Sequence, residues 1–283
     1  MVAVQMSGGL GNQMFQYAFY LKLKSLGKEV KMDDFTCYGP GERKKMLDIF
    51  GVSYDRMTQE EYIRMTDSDL RLSHRIRRKL TGRKNLSYRE KWFNFDPEIL
   101  VREPALFEGY FQTEKYFADI KEQVREAFVF RNLELSENMK EWERRITSGT
   151  AISVHIRRGD YLLPKNSYLF EGICDDAYYE KAIAFMKEKY PDAVFFFFSN
   201  DPAWVKEHYQ DETYFVVEGN DEDAGYVDMY LMSQCRHHIL ANSSFSWWGA
   251  WLNPHEDKTI AAPKGWLNGK DCSDIYTKEM IIF

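Results

Sequence analysis

The chain has 283 residues, 44% hydrophobic, 16% aromatic and 29% charged, which excludes a disordered, collagen-like or heptad-dominated protein and leaves room for about two domains. With 38 basic and 44 acidic residues the formal charge is −6, which argues against a generic nucleic-acid binder, so any anionic ligand must be held by a local cluster. The longest uninterrupted apolar run, residues 193–198, falls far short of the ~18 residues that span a bilayer.

The opening MVAVQMSGG has neither the basic region nor the apolar stretch of an export signal. Residues 2–6 read as a strand and 7–11 as a glycine-rich turn. Met14, Tyr17, Ala18 and Leu21 fall at helical spacing, predicting a helix over 14–26, with Gly27 where a C-terminal cap belongs and a second strand over 29–32. That is a βαβ unit, which predicts a parallel sheet. Residues 55–100 are polar and give no clear elements. Inside them Arg71, Arg75, Arg77, Arg78, Lys79, Arg83 and Lys84 occur with no acidic residue between, readable as a solvated helix face or as a surface for a phosphate-bearing or membrane-bound partner.

A charged helix over 138–146 leads into Thr147-Ser148-Gly149-Thr150, which suggests a domain boundary at 148/149. Beyond it the pattern predicts strands over 151–156, 193–198 and 238–241 and helices over 176–190, 227–236 and 244–252. The near-continuous apolar strands suit a parallel sheet covered on both faces. Cys37, Cys174, Cys235 and Cys272 have neither CxxC nor zinc spacing and fit reduced thiols in a cytoplasm.

A polar cluster follows each of four predicted strands: Gly8-Gly9-Leu10-Gly11-Asn12-Gln13, His155-Ile156-Arg157-Arg158-Gly159-Asp160, Ser199-Asn200-Asp201, and Asn242-Ser243-Ser244-Phe245. Ligands of open α/β sheets bind beyond the carboxyl ends of strands, so the four clusters suggest a cleft between two domains. The glycine turn is not a dinucleotide fingerprint, because Met14 occupies the third glycine position, where close helix–strand packing is required. Asn12 and Gln13 add donors that a bare turn does not need.

Arg157 and Arg158 offer guanidinium forks for phosphate oxygens, but successive side chains alternate in direction, so one is expected to bind and the other to brace. His155 reads equally as a core histidine or a ligand contact. Asp160 could orient an arginine, cap the turn, or serve as a general base. Asn242, Ser243 and Ser244 before an aromatic helix join hydroxyls to a helix N-terminus, which suits a phosphate. Trp247, Trp248 and Trp251 read as core. Asp67-Ser68-Asp69 and Asp221-Glu222-Asp223 could hold a divalent ion or arise by chance.

On these residues the chain resembles the α-1,2-fucosyltransferases of glycosyltransferase family 11. The resemblance is carried by residues 8–18, by the segments His155-Ile156-Arg157-Arg158-Gly159-Asp160-Tyr161 and Phe198-Ser199-Asn200-Asp201, and by residues 228–252 with Ser244-Phe245-Ser246-Trp247-Trp248-Gly249. It implies a glycosyltransferase B fold, that is, α/β with two Rossmann-like domains facing across a cleft, residues 1–148 on the acceptor side and 149–283 binding GDP-fucose. It further implies transfer of L-fucose from GDP-β-L-fucose, with inversion and without metal or other cofactor, to the 2-hydroxyl of a β-galactosyl acceptor, either an oligosaccharide or a lipid-linked glycan.

By similarity Arg157 would hold the β-phosphate, Ser243, Ser244 and Phe245 would line the pyrophosphate site, Asn12 with Gly11 and Gln13 would face the donor sugar, and Asn200 and Asp201 would lie towards the guanosine. His155, Arg158 and Asn242 complete the expected binding set. Animal members carry an N-terminal anchor, so the resemblance is to the bacterial type, cytoplasmic, with residues 71–84 a candidate for contact with the inner face of the membrane. The competing readings are a non-catalytic nucleotide-sugar or glycan binder and a metal-dependent glycosyltransferase using Asp221 and Asp223.

Overall fold

The computed structural model of the protein describes residues 1–39, 44–91, 93–220 and 224–283, with the backbone alone at 160, 162 and 165. The chain divides into two compact units, Met1–Val129 and Phe130–Phe283. The first unit runs β1 (Val2–Gln5), α1 (Leu10–Ser25), β2 (Val30–Asp33), α2 (Gln59–Thr66), α3 (Leu72–Thr81), β3 (Ser87–Arg89), α4 (Glu98–Val101), β4 (Ala105–Glu108) and α5 (Lys121–Ala127). Its four strands are all parallel, in the order β2-β1-β4-β3. The predicted βαβ unit is present, and α1 is buried on almost every side, with Phe19 stacked on Phe111 at 4.3 Å between ring centroids.

The second unit runs α6 (Glu137–Thr147), β5 (Ala151–Ile156), α7 (Pro164–Phe170), α8 (Asp176–Lys189), β6 (Val194–Ser199), α9 (Pro202–His208), β7 (Tyr214–Val216), α10 (Gly225–Gln234), β8 (His237–Ile239), α11 (Ser244–Leu252), β9 (Ile260–Ala262) and β10 (Met280–Ile282). Its six strands are also all parallel, ordered β10-β9-β8-β5-β6-β7. Read from the other edge, this is the doubly wound order 3-2-1-4-5-6 of a Rossmann sheet.

Alternation along β5 and β6 explains why both strands are apolar throughout. Ile152, Val154, Phe195 and Phe197 pack on one face with Ala182, Ile183 and Met186 of α8. Ala151, Phe196 and Phe198 pack on the other with Leu231 and Met232 of α10 and Met139 and Ile146 of α6. Truncating Phe197 to Ala in such a core costs on the order of 3–5 kcal/mol.

The same packing moves the boundary. Expected at 148/149, it lies at 129/130 in the compact units, because α6 buries Met139 and Ile146 in the second core. The tryptophans of α11 are core, as expected, with Trp247 and Trp248 fully buried. Among the described residues no helix is long and apolar enough to cross a membrane.

Candidate functional sites at the two switch points

In each sheet the strand order reverses beside the first strand of the unit, and ligands of open α/β sheets bind beyond the carboxyl ends of the strands at that point. In the second unit the reversal lies between β5 and β8. The residues following those strands are 157–161 and 240–245, two of the four clusters the sequence singles out. In the first unit the reversal lies between β1 and β4, followed by residues 6–13 and 109–112.

At the β5/β8 point, Ser243 is the N-cap of α11, its hydroxyl accepting from the Phe245 N–H at 3.3 Å. The cap leaves the positive end of α11 at this corner. Phe245 packs on the His155 ring, centroids 5.6 Å apart, so the end of β5 and the start of α11 are in contact. Burial, and then the Arg157 charge, push the His155 imidazole down to about 3, so it is neutral at physiological pH. Its carbonyl accepts from Tyr179, but its buried Nδ1 has no hydrogen-bond partner among the described residues.

Arg157 carries its guanidinium 5.6 Å from the Tyr161 ring centroid. That ring stacks on Phe170 at 3.9 Å, and its hydroxyl donates to the Asn242 carbonyl at 3.0 Å. Tyr161 lies in the motif the sequence offers, yet nothing in the spacing assigns it this bracing position.

Several expected ligand contacts spend their polar groups inside the unit instead. The Arg158 guanidinium lies 3.8 Å over Trp204 and donates through Nε to Asp201 at 3.3 Å, while its main-chain N–H donates to Asn200 Oδ1 at 2.9 Å. Asp201 also caps α9 by accepting from the Trp204 N–H at 3.2 Å. Asn200 lies where a Cβ on Gly159 would stand, 2.3 Å from Nδ2, and Gly159 has φ +46°, so glycine is required there. The Asn242 amide donates to the Trp266 carbonyl at 3.1 Å and accepts from the Cys174 thiol at 3.4 Å. Burial pushes that thiol up to about 12, so it stays protonated. Arg158 Nε, Asn200 Oδ1, the Asp201 carboxylate and the Asn242 amide thus each brace the unit from within. Of the two arginines, Arg158 is the one with these contacts to Asn200, Asp201 and Trp204.

The first unit's point is built by glutamines. Gln13 is fully buried and donates to the carbonyls of Gly8 at 2.9 Å and Lys44 at 2.8 Å while accepting from the Met46 N–H at 2.9 Å. Its amide therefore holds the turn and is not presented to a ligand. Gln16 ties Ser7 to the Gly109 carbonyl at 2.8 Å. Asn12 Oδ1 accepts from Gln112 Nε2 at 2.7 Å, a pairing between residues too far apart in the chain for any local pattern to reveal. Gly11, next to it, is buried in the first turn of α1.

Two carboxylates that the sequence does not single out are partly buried. Glu90 accepts from the N–H groups of Tyr110 at 2.8 Å and Phe111 at 3.1 Å and so holds the segment after β4, where Phe111 has φ +53°. Burial pushes it up to about 6 against those bonds. Asp228 on α10 is pushed up to about 6 by burial, opposed by a bond from Asn220 at 2.5 Å.

Asp67 and Asp69 are engaged by Arg77, Lys84 and Arg71, which removes that pair as an open cation site. Among the described residues no group of three His, Cys, Asp or Glu could hold a metal ion. Asp221 and Asp223, and the side chain of Asp160, lie outside the described residues.

Comparison with known proteins agrees with the motifs. The chain is 33% identical over 288 residues to an α-1,2-colitosyltransferase of Escherichia coli, covering 95% of this chain and 93% of that protein. It is 25% identical to galactoside α-(1,2)-fucosyltransferase 1 of Rattus norvegicus over 87% of this chain and 61% of that one. A solved structure of NodZ α-1,6-fucosyltransferase soaked with GDP-fucose aligns with a TM-score of 0.45 at 16% identity, covering 89% of this chain and 92% of that one. The family model of glycosyl transferase family 11 matches residues 88–282, and with that match and the 33% identity across nearly its whole length the chain belongs to this family of glycosyltransferases.

Proposed function

We propose that this glycosyltransferase moves L-fucose from GDP-β-L-fucose to the 2-hydroxyl of a β-galactosyl acceptor, with inversion. The observation that carries the reading is the β5/β8 switch point, where Arg157, the orphan nitrogen of His155 and the capped N-terminus of α11 meet. Cleavage of a sugar–phosphate bond places negative charge on the departing diphosphate and positive charge on the sugar. A fixed guanidinium and a helix N-terminus stabilise that diphosphate more as its charge grows, which lowers the barrier. An acceptor hydroxyl attacking the opposite face gives inversion at the anomeric carbon.

Guanine selectivity has a candidate in Asp228. It lies one helical turn from Gly225, whose Cβ position is 4.0 Å from the Phe245 ring, so it is on the side of α10 that approaches the α11 cap. A partly buried carboxylate whose one partner among the described residues is the Asn220 amide can accept from the two adjacent N–H groups of guanine. Uracil does not present that pair.

The test is calorimetry with GDP and UDP followed by turnover with GDP-fucose and a colitosyl donor, in buffer with and without EDTA. GDP binding in strong preference to UDP, turnover of GDP-fucose and insensitivity to EDTA are expected. Equal affinity for UDP overturns the nucleotide assignment. A rate lost to EDTA and restored by Mg²⁺ or Mn²⁺ overturns the metal-free mechanism and directs attention to Asp221 and Asp223. Colitose lacks the 3-hydroxyl of fucose, so turnover of the colitosyl donor alone moves the sugar assignment while leaving the nucleotide site in place.

A further inference from the structure

A surface helix of a globular unit turns its apolar stripe inward and its charges outward. Helix α3 does the reverse. None of its residues is buried, and Leu72, Ile76 and Leu80, spaced four apart on one side, are 69%, 51% and 78% exposed. The inward side is held by arginines. Arg77 pairs with Asp67, and Arg78 donates to the Asp67 carbonyl at 3.1 Å. Just past the helix Arg83 donates to the Thr66 carbonyl at 2.9 Å. Asp67, which ends α2 in a left-handed conformation, also accepts from the Lys84 N–H at 2.8 Å. The helix and the segment after it are thereby tied to one carboxylate, and the helix is fixed with Leu72, Ile76 and Leu80 outward.

Arg75 and Lys79 flank the stripe and are exposed, and no acidic residue occurs from Leu70 to Arg89. We propose that α3 is an interfacial anchor that lies on an anionic lipid surface, with Leu72, Ile76 and Leu80 entering the acyl boundary and Arg75 and Lys79 meeting the headgroups. Charge complementarity selects this occupant. A second copy seated on the same stripe would bring two basic helices together. A nucleic acid would use the cations and leave the apolar residues in water. The formal charge of −6 for the whole chain makes the basic patch local, so an anionic surface attracts this helix and repels much of the remainder, which orients the protein.

The experiment is co-sedimentation of the full chain with vesicles of phosphatidylcholine, alone or mixed with phosphatidylglycerol, at low and high salt. The proteins are wild type, the double variant Arg75→Glu/Lys79→Glu, and the triple variant Leu72→Ser/Ile76→Ser/Leu80→Ser. Melting temperature and GDP affinity on the same preparations establish that each variant is folded and keep the result separate from the donor assignment. Wild type is expected to favour the anionic vesicles by more than tenfold and to lose that preference in high salt. The charge variant should bind at least about 30-fold more weakly, because loss of each basic residue near an anionic surface is worth about fivefold and reversal to Glu adds repulsion. The serine variant should lose well over about tenfold, because three large apolar side chains no longer leave water for the acyl boundary.

Equal partition of wild type into both vesicle types overturns the proposal, as does unchanged binding by both variants. Concentration-dependent self-association that the serine variant abolishes, without vesicle binding by wild type, assigns the stripe to a second copy and also overturns it.

Discussion

The Tyr161 hydroxyl donates a 3.0 Å hydrogen bond to the main-chain oxygen of Asn242, joining the turn after β5 to the residue that precedes the cap of α11. The arginine and the helix end proposed to hold the diphosphate therefore share one brace. Tyr161→Phe keeps the ring under Arg157 and removes the tie, a net loss of about 1 kcal/mol for one hydrogen bond. The expected outcome is a lower melting temperature and GDP affinity weakened about 3- to 10-fold, read by calorimetry. A variant unchanged in both leaves Tyr161 as packing only.

The neighbouring arginines should respond differently. Arg157→Lys retains the charge and loses the planar fork, so transfer should fall about 10²-fold while melting temperature is unchanged. Arg158→Lys breaks the contacts with Asp201 and the Trp204 ring, so its first effect should be on stability. Thermal melts and kcat measured on both variants decide the matter. If Arg157→Lys turns over normally and Arg158→Lys loses turnover at wild-type stability, the two roles are exchanged.

Much of this was legible because the strands that build the switch points carry their own local signals. The runs at 151–156 and 193–198 can be nothing but buried strands once glycine and polar residues bound them, and the cap at Ser243 announces its helix. What failed to show was whatever depends on residues far apart in the chain. Gln13, Arg158, Asn200 and Asn242 are singled out in the sequence as polar residues beside a strand end, and their braces within the unit are not legible there. Their actual partners, such as the Lys44 carbonyl, the Trp204 ring and the Cys174 thiol, carry no signal there. Residues 55–100 give no clear elements for a related reason, since in α3 the three apolar residues stand among basic ones and face outward, while the helix is held by ion pairs to Asp67.

Asp228 links stability to the proposed guanine contact. Folding raises its carboxyl from 3.8 to about 6, so the protonated form is favoured in the native state. Its contribution is fully present below about pH 3.8 and is lost as pH rises through 6, leaving an ionised group that is costly to bury at neutral pH. A shift of that size corresponds to roughly 3 kcal/mol at most. Asp228→Asn should therefore be more stable than wild type at pH 7, with a flatter dependence between pH 4 and 6 in denaturant titrations. The same variant presents one acceptor where guanine needs two, so GDP affinity should fall by about tenfold or more. Retained GDP affinity removes Asp228 from the nucleotide site whatever the stability shows.

Asn12 is where a catalytic and a purely architectural role make opposite demands. The resemblance assigns it to the donor sugar, yet its Oδ1 accepts from Gln112 at 2.7 Å and its Nδ2 lies 2.6 Å from the point a Cβ on Gly8 would occupy. If its work is done through Gln112, then Asn12→Ala and Gln112→Ala should lose the same roughly 1 kcal/mol of stability, and the double variant should lose no more than either. If Asn12 also contacts the sugar, Asn12→Ala alone should lower kcat by about 10²-fold. Affinity for GDP, which carries no sugar, should then stay at the wild-type value. We expect the second pattern, because the resemblance assigns Asn12 to the donor sugar and the bond from Gln112 to its Oδ1 fixes the side chain at the start of α1. Equal effects of the two single variants on melting temperature, with wild-type kcat in both, would confine the glycine turn to holding its own unit together.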